Sequence, residues 1–197
     1  MEDATARVLT YQPNPLQNGT QFIKNLITDL LVQNDAFAEP IFDTKTGALI
    51  VIEQSTRLGD ISNSGTSLDA IVSSNLLENI FVVNTPLHDG ATIIGKNKIL
   101  ASGCVLPLTN NKDINKKLGT RHRAGIGLSE ISDAIVIIVS EETGVISLAI
   151  NGRLTRNYDR EKLRVVLLKI MEHREEKRVK SAGKKVKSWI TGIINKK

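Results

Sequence analysis

Three short peptides in this sequence carry side chains that could do chemistry. NTPLHDGATI at 84–93 crowds Pro86, His88, Asp89 and Gly90 ahead of an apolar run. Gly90 lets backbone approach a ligand closely, and Asp89 offers a carboxylate as a general base or beside a metal. Asp-Gly is also a strong turn signal, and alone the peptide reads more readily as a turn. LGTRHRAG at 118–125 sets Gly119 and Thr120 before two arginines that flank His122. Backbone N–H groups at a helix start favour anions, and arginine forks match phosphate oxygens. An exposed basic turn explains that peptide equally well. SEETG at 140–144 places two carboxylates at the end of an apolar run. Adjacent carboxylates repel unless one is solvated or faces a cation, and a hairpin turn is the plain alternative. If the strand continues, Glu141 and Glu142 point to opposite faces, so at most one enters a site.

Together the three supply a base, phosphate-gripping cations and a cation ligand, the parts for chemistry on a nucleoside triphosphate. No GxxxxGK[ST] loop occurs, and GIG at 125–127 is followed by LSE, so neither common phosphate-loop motif is present.

These peptides need a frame. Residues 11–19 read as an entry loop, and the apolar spacing of Phe22, Ile23, Leu26, Ile27, Leu30 and Leu31 predicts a helix over 20–33 capped by Thr20. Pro40 and Gly47 break the 34–47 segment, and ALIVIEQ at 48–54 predicts a buried strand. A loop is expected over 55–67 and a helix over 68–80. A hairpin of 91–95 and 98–108 turns at Lys96-Asn97. Residues 118–132 read as a loop followed by a short helix. AIVIIVSEE at 134–142 is the clearest strand, and 145–152 pairs with it across Thr143-Gly144. Helices are expected over 159–178 and 184–194. The sum is an α/β fold, a mixed central β-sheet flanked by helices. Its expected divisions are a connector at 1–19, a domain at 20–178 and a basic tail at 179–197.

Composition narrows the classes. At 197 residues, 41% apolar and 24% charged, the chain suits one globular domain with extensions. The single cysteine, Cys104, forbids an internal disulfide, and His88, His122 and His173 have no cysteine near them, against a zinc finger. The longest apolar run, AIVIIV at 134–139, is six residues, where a membrane helix takes about twenty. MEDATARVLT lacks the basic start and apolar stretch of a signal peptide, so a cytoplasmic location is expected. Net charge is split: residues 1–152 hold 11 basic against 16 acidic side chains, residues 153–197 hold 15 against 5. A basic tail can meet nucleic acid or anionic lipid, but a solvated helical face is commoner. Only Tyr158 and Trp189 interleave with that charge, against a single-strand reader.

With these motifs in order, the sequence closely resembles the diadenylate cyclase domain, which makes cyclic di-AMP in bacteria. The resemblance covers about residues 45–157 and rests on NTPLHDGA, LPLT at 106–109, LGTRHRA, GLSEISD at 127–133 and IVSEETG. It implies that two ATP molecules condense to cyclic di-AMP, releasing two pyrophosphates, with Mn²⁺ or Mg²⁺ assisting. Asp89 would deprotonate or orient the ribose 3′-hydroxyl, in a DGA motif completed by Gly90 and Ala91. His88 and Glu142 would approach the metal. Gly119, Thr120, Arg121, His122, Arg123 and Ser140 would bind phosphate, and Leu106 would border the adenine. A carboxylate of reference pKa about 3.9 is a weak base, so a metal and in-line geometry are expected to share the work. A cyclic dinucleotide needs two mirrored bonds, which the family makes across a face-to-face homodimer, with higher oligomers open. Val105 stands where some members carry an adenine-stacking aromatic, and YQP at 11–13 resembles the connector that follows membrane helices in the membrane-attached branch. That connector and the basic tail allow a place at the cytoplasmic face of a membrane. Two competing readings are a silent nucleotide-binding module and a nucleic-acid binder working through 153–197.

Overall fold

A computed structural model describes residues 47–95, 98–114, 118–159, 161–170 and 173. The expected helices over 20–33 and 184–194, the 1–19 connector, the Lys96-Asn97 turn and the 179–197 tail lie outside the described residues. The elements run β1 (Ala48–Ile52), α1 (Gly59–Ser62), β2 (Thr66–Ile71), α2 (Ser74–Ile80), β3 (Ala91–Gly95) and β4 (Lys98–Cys104), then α3 (Thr120–Ile131), β5 (Ile135–Val139), β6 (Ile146–Ile150) and β7 (Arg153–Tyr158). Residues 161–170 form α4. Asp159 caps α4 by accepting from the Lys162 N–H at 2.8 Å.

The strands make one seven-stranded sheet in the order β2-β4-β3-β1-β5-β6-β7. β1 and β3 run parallel, and the other neighbours are antiparallel. The continuous apolar runs of β1 and β5 follow from burial on both faces. Ile50 and Ile52 face a layer containing Leu77, Phe81, Leu163 and Leu167. Leu49 and Val51 face the opposite layer, with Leu58, Ala124 and Leu128. Each such leucine, isoleucine, valine or phenylalanine, taken fully out of water, stabilises the fold by about 1.5–3 kcal/mol.

Register gathers the three candidate peptides. Ala48 pairs with Val139, and Ile50 pairs with Thr92. Ala91 pairs with Cys104. The starts of β1 and β3 therefore lie level with the ends of β4 and β5. The loops carrying His88–Gly90, Val105–Thr109 and Ser140–Gly144 all leave the sheet at this one end, where a rigid scaffold can hold variable chemistry.

Several expectations change. The 55–67 loop holds the short helix α1 and the first residues of β2, and the 134–142 strand ends at Val139. Residues 68–71 belong to the edge strand β2, and only 74–80 are helical. The spacing of Leu68, Ile71 and Val72 suits either structure, and pairing with β4 decides it, with a bulge between Ser67 and Ala70. The 98–108 strand ends at Cys104. Residues 118–132 are almost entirely the helix α3, although Gly125 and Gly127 lie inside it.

Those glycines have a packing cause. A Cβ on Gly127 would sit 2.2 Å from the Pro107 carbonyl oxygen and 2.6 Å from the Thr109 nitrogen. The Thr109 N–H donates to the Arg123 carbonyl at 3.1 Å, and its hydroxyl donates to Glu130 at 2.7 Å. The LPLT segment thus lies directly on α3. Alanine at 127 would gain about 1 kcal/mol of helix propensity but force backbone apart at a typical cost of about 1–3 kcal/mol or more. Gly127→Ala is expected to lower the urea midpoint. Gly59→Ala, where a Cβ meets nothing within 4 Å, is expected to leave it unchanged or raise it. A midpoint in Gly127→Ala at or above the wild-type value would contradict that packing.

Candidate active site

The cleft at this end of the sheet is lined by the start of α3, the end of β5 with its following turn, and β7. Its walls include Leu118, Gly119, Thr120, Arg121, His122 and Ser140, with Glu141, Glu142 and Arg156. Gly119 opens α3 without a side-chain cap. The first turn therefore keeps N–H groups without intrahelical partners at the positive end of the helix dipole, and its residues Thr120, Arg121 and His122 line the cleft.

Arg121 is the hub. Its Nη1 donates to Glu141 Oε2 at 2.5 Å, and its Nη2 lies 3.1 Å from His88 Nε2. A guanidinium can only donate, so His88 Nε2 accepts and the ring is neutral. Burial of His88, then the neighbouring Arg121 charge, holds its pKa below the ordinary histidine value. One hydrogen bond joins the HDG loop to the first turn of α3, so the loop lies next to the cleft, although neither His88 nor Asp89 is among its lining residues.

The HDG loop is fixed from below. Gly90 has φ +128°, and a Cβ there would meet the Gly103 carbonyl carbon at 2.6 Å and the Cys104 oxygen at 2.8 Å. Gly103, at φ +69°, leaves room for the Pro86 carbonyl. Ser102 Oγ donates to the Leu87 carbonyl at 2.9 Å and meets Thr92 Oγ1 at 2.8 Å. This support leaves Asp89 exposed and Ala91 buried. Ser102 and Gly103 lie outside every motif, and Thr92 sits in the 84–93 peptide without standing out, because a small supporting residue within an apolar strand gives no local signal.

His122 points inward. It is 6% exposed, and its Nε2 lies 3.2 Å from Ser147 Oγ. Burial, then the Arg156 charge, lowers its pKa, while Glu142 works the other way. The unfolded chain protonates this histidine near the ordinary value of about 6.5, and the folded chain only at lower pH. Stability is therefore fully present above about pH 6.5 and falls as pH drops from there toward the folded pKa. A lower urea midpoint at about pH 5.5 than at about pH 7.5 is expected, with His122→Gln reducing the difference. An equal difference in that variant would remove His122 from the effect.

The other expected residues divide. Gly119, Thr120, Arg121, Ser140 and Glu142 stand at the cleft, and Ser140 Oγ also accepts from the Thr143 N–H at 3.4 Å. Arg123 does not line it: two positions on from Arg121, it turns about 200° round the helix and is exposed. Leu106 is only 7% exposed and packs in the core, whereas Val105 is 71% exposed and Leu108 46%. Glu141 and Glu142 both line the cleft, because β5 ends at Val139 and the alternation stops before them.

The donors for a divalent metal are few. Among the described residues no group of three or more His, Cys, Asp and Glu converges. His88 Nε2 is already engaged by a guanidinium, and a metal ion there would sit against that charge. The exposed carboxylate of Glu142 is the better ligand. One carboxylate with phosphate oxygens and water suits Mg²⁺ and similar ions, which seldom need a full protein cage. Among the described residues no helix is long and apolar enough to cross a membrane.

Comparison with known proteins bears on this geometry. The family described as DisA bacterial checkpoint controller nucleotide-binding, DAC, matches residues 36–154. Cyclic di-AMP synthase CdaA of Bacillus subtilis is 53% identical over 123 residues, covering 62% of this chain and 45% of the relative. A diadenylate cyclase of Listeria monocytogenes is 50% identical over 125 residues, covering 64% of this chain and 46% of the relative. The chain thus spans about half the length of these curated relatives. The crystal structure of a double mutant of DacA from Staphylococcus aureus is similar with a TM-score of 0.65 and 40% identity, over 76% of this chain and 93% of that one.

Proposed function

Because the chain belongs to the DAC nucleotide-binding family, we propose that it is a diadenylate cyclase, condensing two ATP molecules into cyclic di-AMP with release of two pyrophosphates. The observation that carries this reading is the link between Arg121 and His88, which joins a carboxylate-bearing loop to a phosphate-gripping helix.

Arg121 and the free N–H groups at the start of α3 bind the triphosphate, with Thr120 and Ser140 assisting. His88 accepts from the guanidinium through Nε2 and so positions it, beside the metal-side role implied by the motif. Asp89 stands exposed beside it to take or orient the proton of the ribose 3′-hydroxyl. The backbone at Gly90 and Ala91 brings the nucleotide close. Exposed Val105 and Leu108 offer the base an apolar surface, with Leu106 supporting them from the core. A divalent ion, Mn²⁺ or Mg²⁺, held by Glu142 and phosphate oxygens, would supply charge neutralisation on the pyrophosphate side.

Each protomer holds one ATP, so the two ester bonds form between nucleotides on facing protomers of a homodimer. The two 3′-hydroxyls each displace pyrophosphate from the opposite α-phosphorus in line. The nucleic-acid reading has no support from the cleft, and its basic segment falls mostly outside the described residues. Incubation with ATP and Mn²⁺ or Mg²⁺ tests the assignment: cyclic di-AMP and two pyrophosphates per dinucleotide are expected on chromatography. ATP that is bound but recovered unchanged would point to a silent binding module.

A further inference from the structure

We propose that Arg156 is a further phosphate-binding residue, which grips the terminal phosphates of the bound nucleoside triphosphate from the β7 side of the cleft. The inference rests on the nucleotide reading of this cleft and extends it to a residue outside the HDG, RHR and SEE peptides.

The fold places Arg156 deliberately. Asn151 (φ +50°) and Gly152 (φ +73°) turn β6 into β7, and the resulting register sets Arg156 opposite Ser147. Ser147 is the residue whose hydroxyl meets His122. Arg156 therefore stands beside the first turn of α3 and lines the same cleft as Thr120, Arg121 and Glu142.

The cleft's charges show why a second arginine matters. Arg121 is already matched by Glu141 at 2.5 Å, and Glu142 adds another negative charge to the wall. A triphosphate entering that cleft meets two carboxylates and one arginine that is already paired. Arg156 makes no ion pair and no side-chain hydrogen bond among the described residues, so its five donors are free for an anion. A guanidinium can take two phosphate oxygens at once, which suits the β- and γ-phosphates. The plain alternative is that Arg156 guards an edge strand against pairing with another chain. An edge guard alters aggregation and has no preference for the ligand's phosphate number.

Titration calorimetry on the whole chain separates the two, with inorganic tripolyphosphate and AMP as probes at fixed Mg²⁺. Arg156→Ala and Arg156→Gln are expected to weaken tripolyphosphate binding by about 10-fold or more and to change AMP binding by less than about 2-fold. Arg156→Lys, which keeps the charge but loses the fork, is expected to fall between. With ATP as substrate, the alanine variant should raise KM far more than it lowers kcat. Unchanged tripolyphosphate affinity would overturn the assignment, and so would an equal loss for both probes. The binding readout does not require turnover. A wild-type chain that binds tripolyphosphate through Arg156 yet makes no cyclic dinucleotide would refute the cyclase reading and leave this one standing.

Discussion

Asp89→Asn is expected to fold and to bind ATP, yet to form cyclic di-AMP about 10²–10⁴-fold more slowly than the wild type. The size follows from what the change removes. Asparagine keeps the shape of the side chain but cannot accept the ribose proton. Stability should hold, because the Asp89 side chain is exposed and its carboxylate makes no hydrogen bond among the described residues. Exposed substitutions of this kind usually move stability by no more than about 0.5 kcal/mol. The loop itself depends on Gly90, Gly103 and Ser102, none of which the substitution touches. Turnover and ATP affinity, measured on the same preparation, check the split. Wild-type turnover would remove Asp89 from the reaction, and a lost ATP affinity would make it a binding residue instead.

Arg121→Ala should fail earlier, at binding. A charge-assisted hydrogen bond is worth about 1.5–3 kcal/mol, so losing the fork is expected to weaken ATP binding by about 10–150-fold. The same change leaves Glu141 and His88 without their shared partner. With that cation gone, burial alone would hold the His88 pKa down, so its titration should move toward the ordinary value. Lysine cannot span both neighbours as a planar fork, so Arg121→Lys is expected to recover only part of the affinity. NMR titration of His88 beside an ATP-binding isotherm reads both effects. Unchanged ATP affinity in Arg121→Ala would place this residue outside the site.

Much of this arrangement is legible in the residues. The runs at 48–52 and 135–139 announce buried strands because both of their faces are covered, and the 134–152 hairpin follows from Thr143-Gly144. His88, Asp89 and Arg121 stand out because their types and neighbours suit phosphate chemistry. What escapes notice depends on long-range packing. The glycines of α3 lower its helix propensity, and only long-range packing explains them, Gly125 against Ile138 and Val136 and Gly127 against Pro107 and Thr109. Leu68 and Ile71 suit a helix until β4 pairs beside them. The outlook of Glu141 and Glu142 turned on where β5 ends, a boundary no periodicity fixes.

Arg156 is the instructive omission. Asn151-Gly152 is a strong hairpin signal following an apolar strand, and it alone implies a further strand over 153–158. Within the basic balance of the chain's end, that arginine looked like one charge among many. The hairpin singles it out by carrying it to the cleft.

Two nucleotides, one on each of two facing protomers, form the heart of the proposed chemistry. Cyclic di-AMP formation per enzyme molecule, followed as the protein is diluted at saturating ATP and metal, tests that pairing most directly. Specific activity should fall as protomers separate, while ATP binding per protomer persists. Undiminished activity from a demonstrably monomeric chain would contradict it.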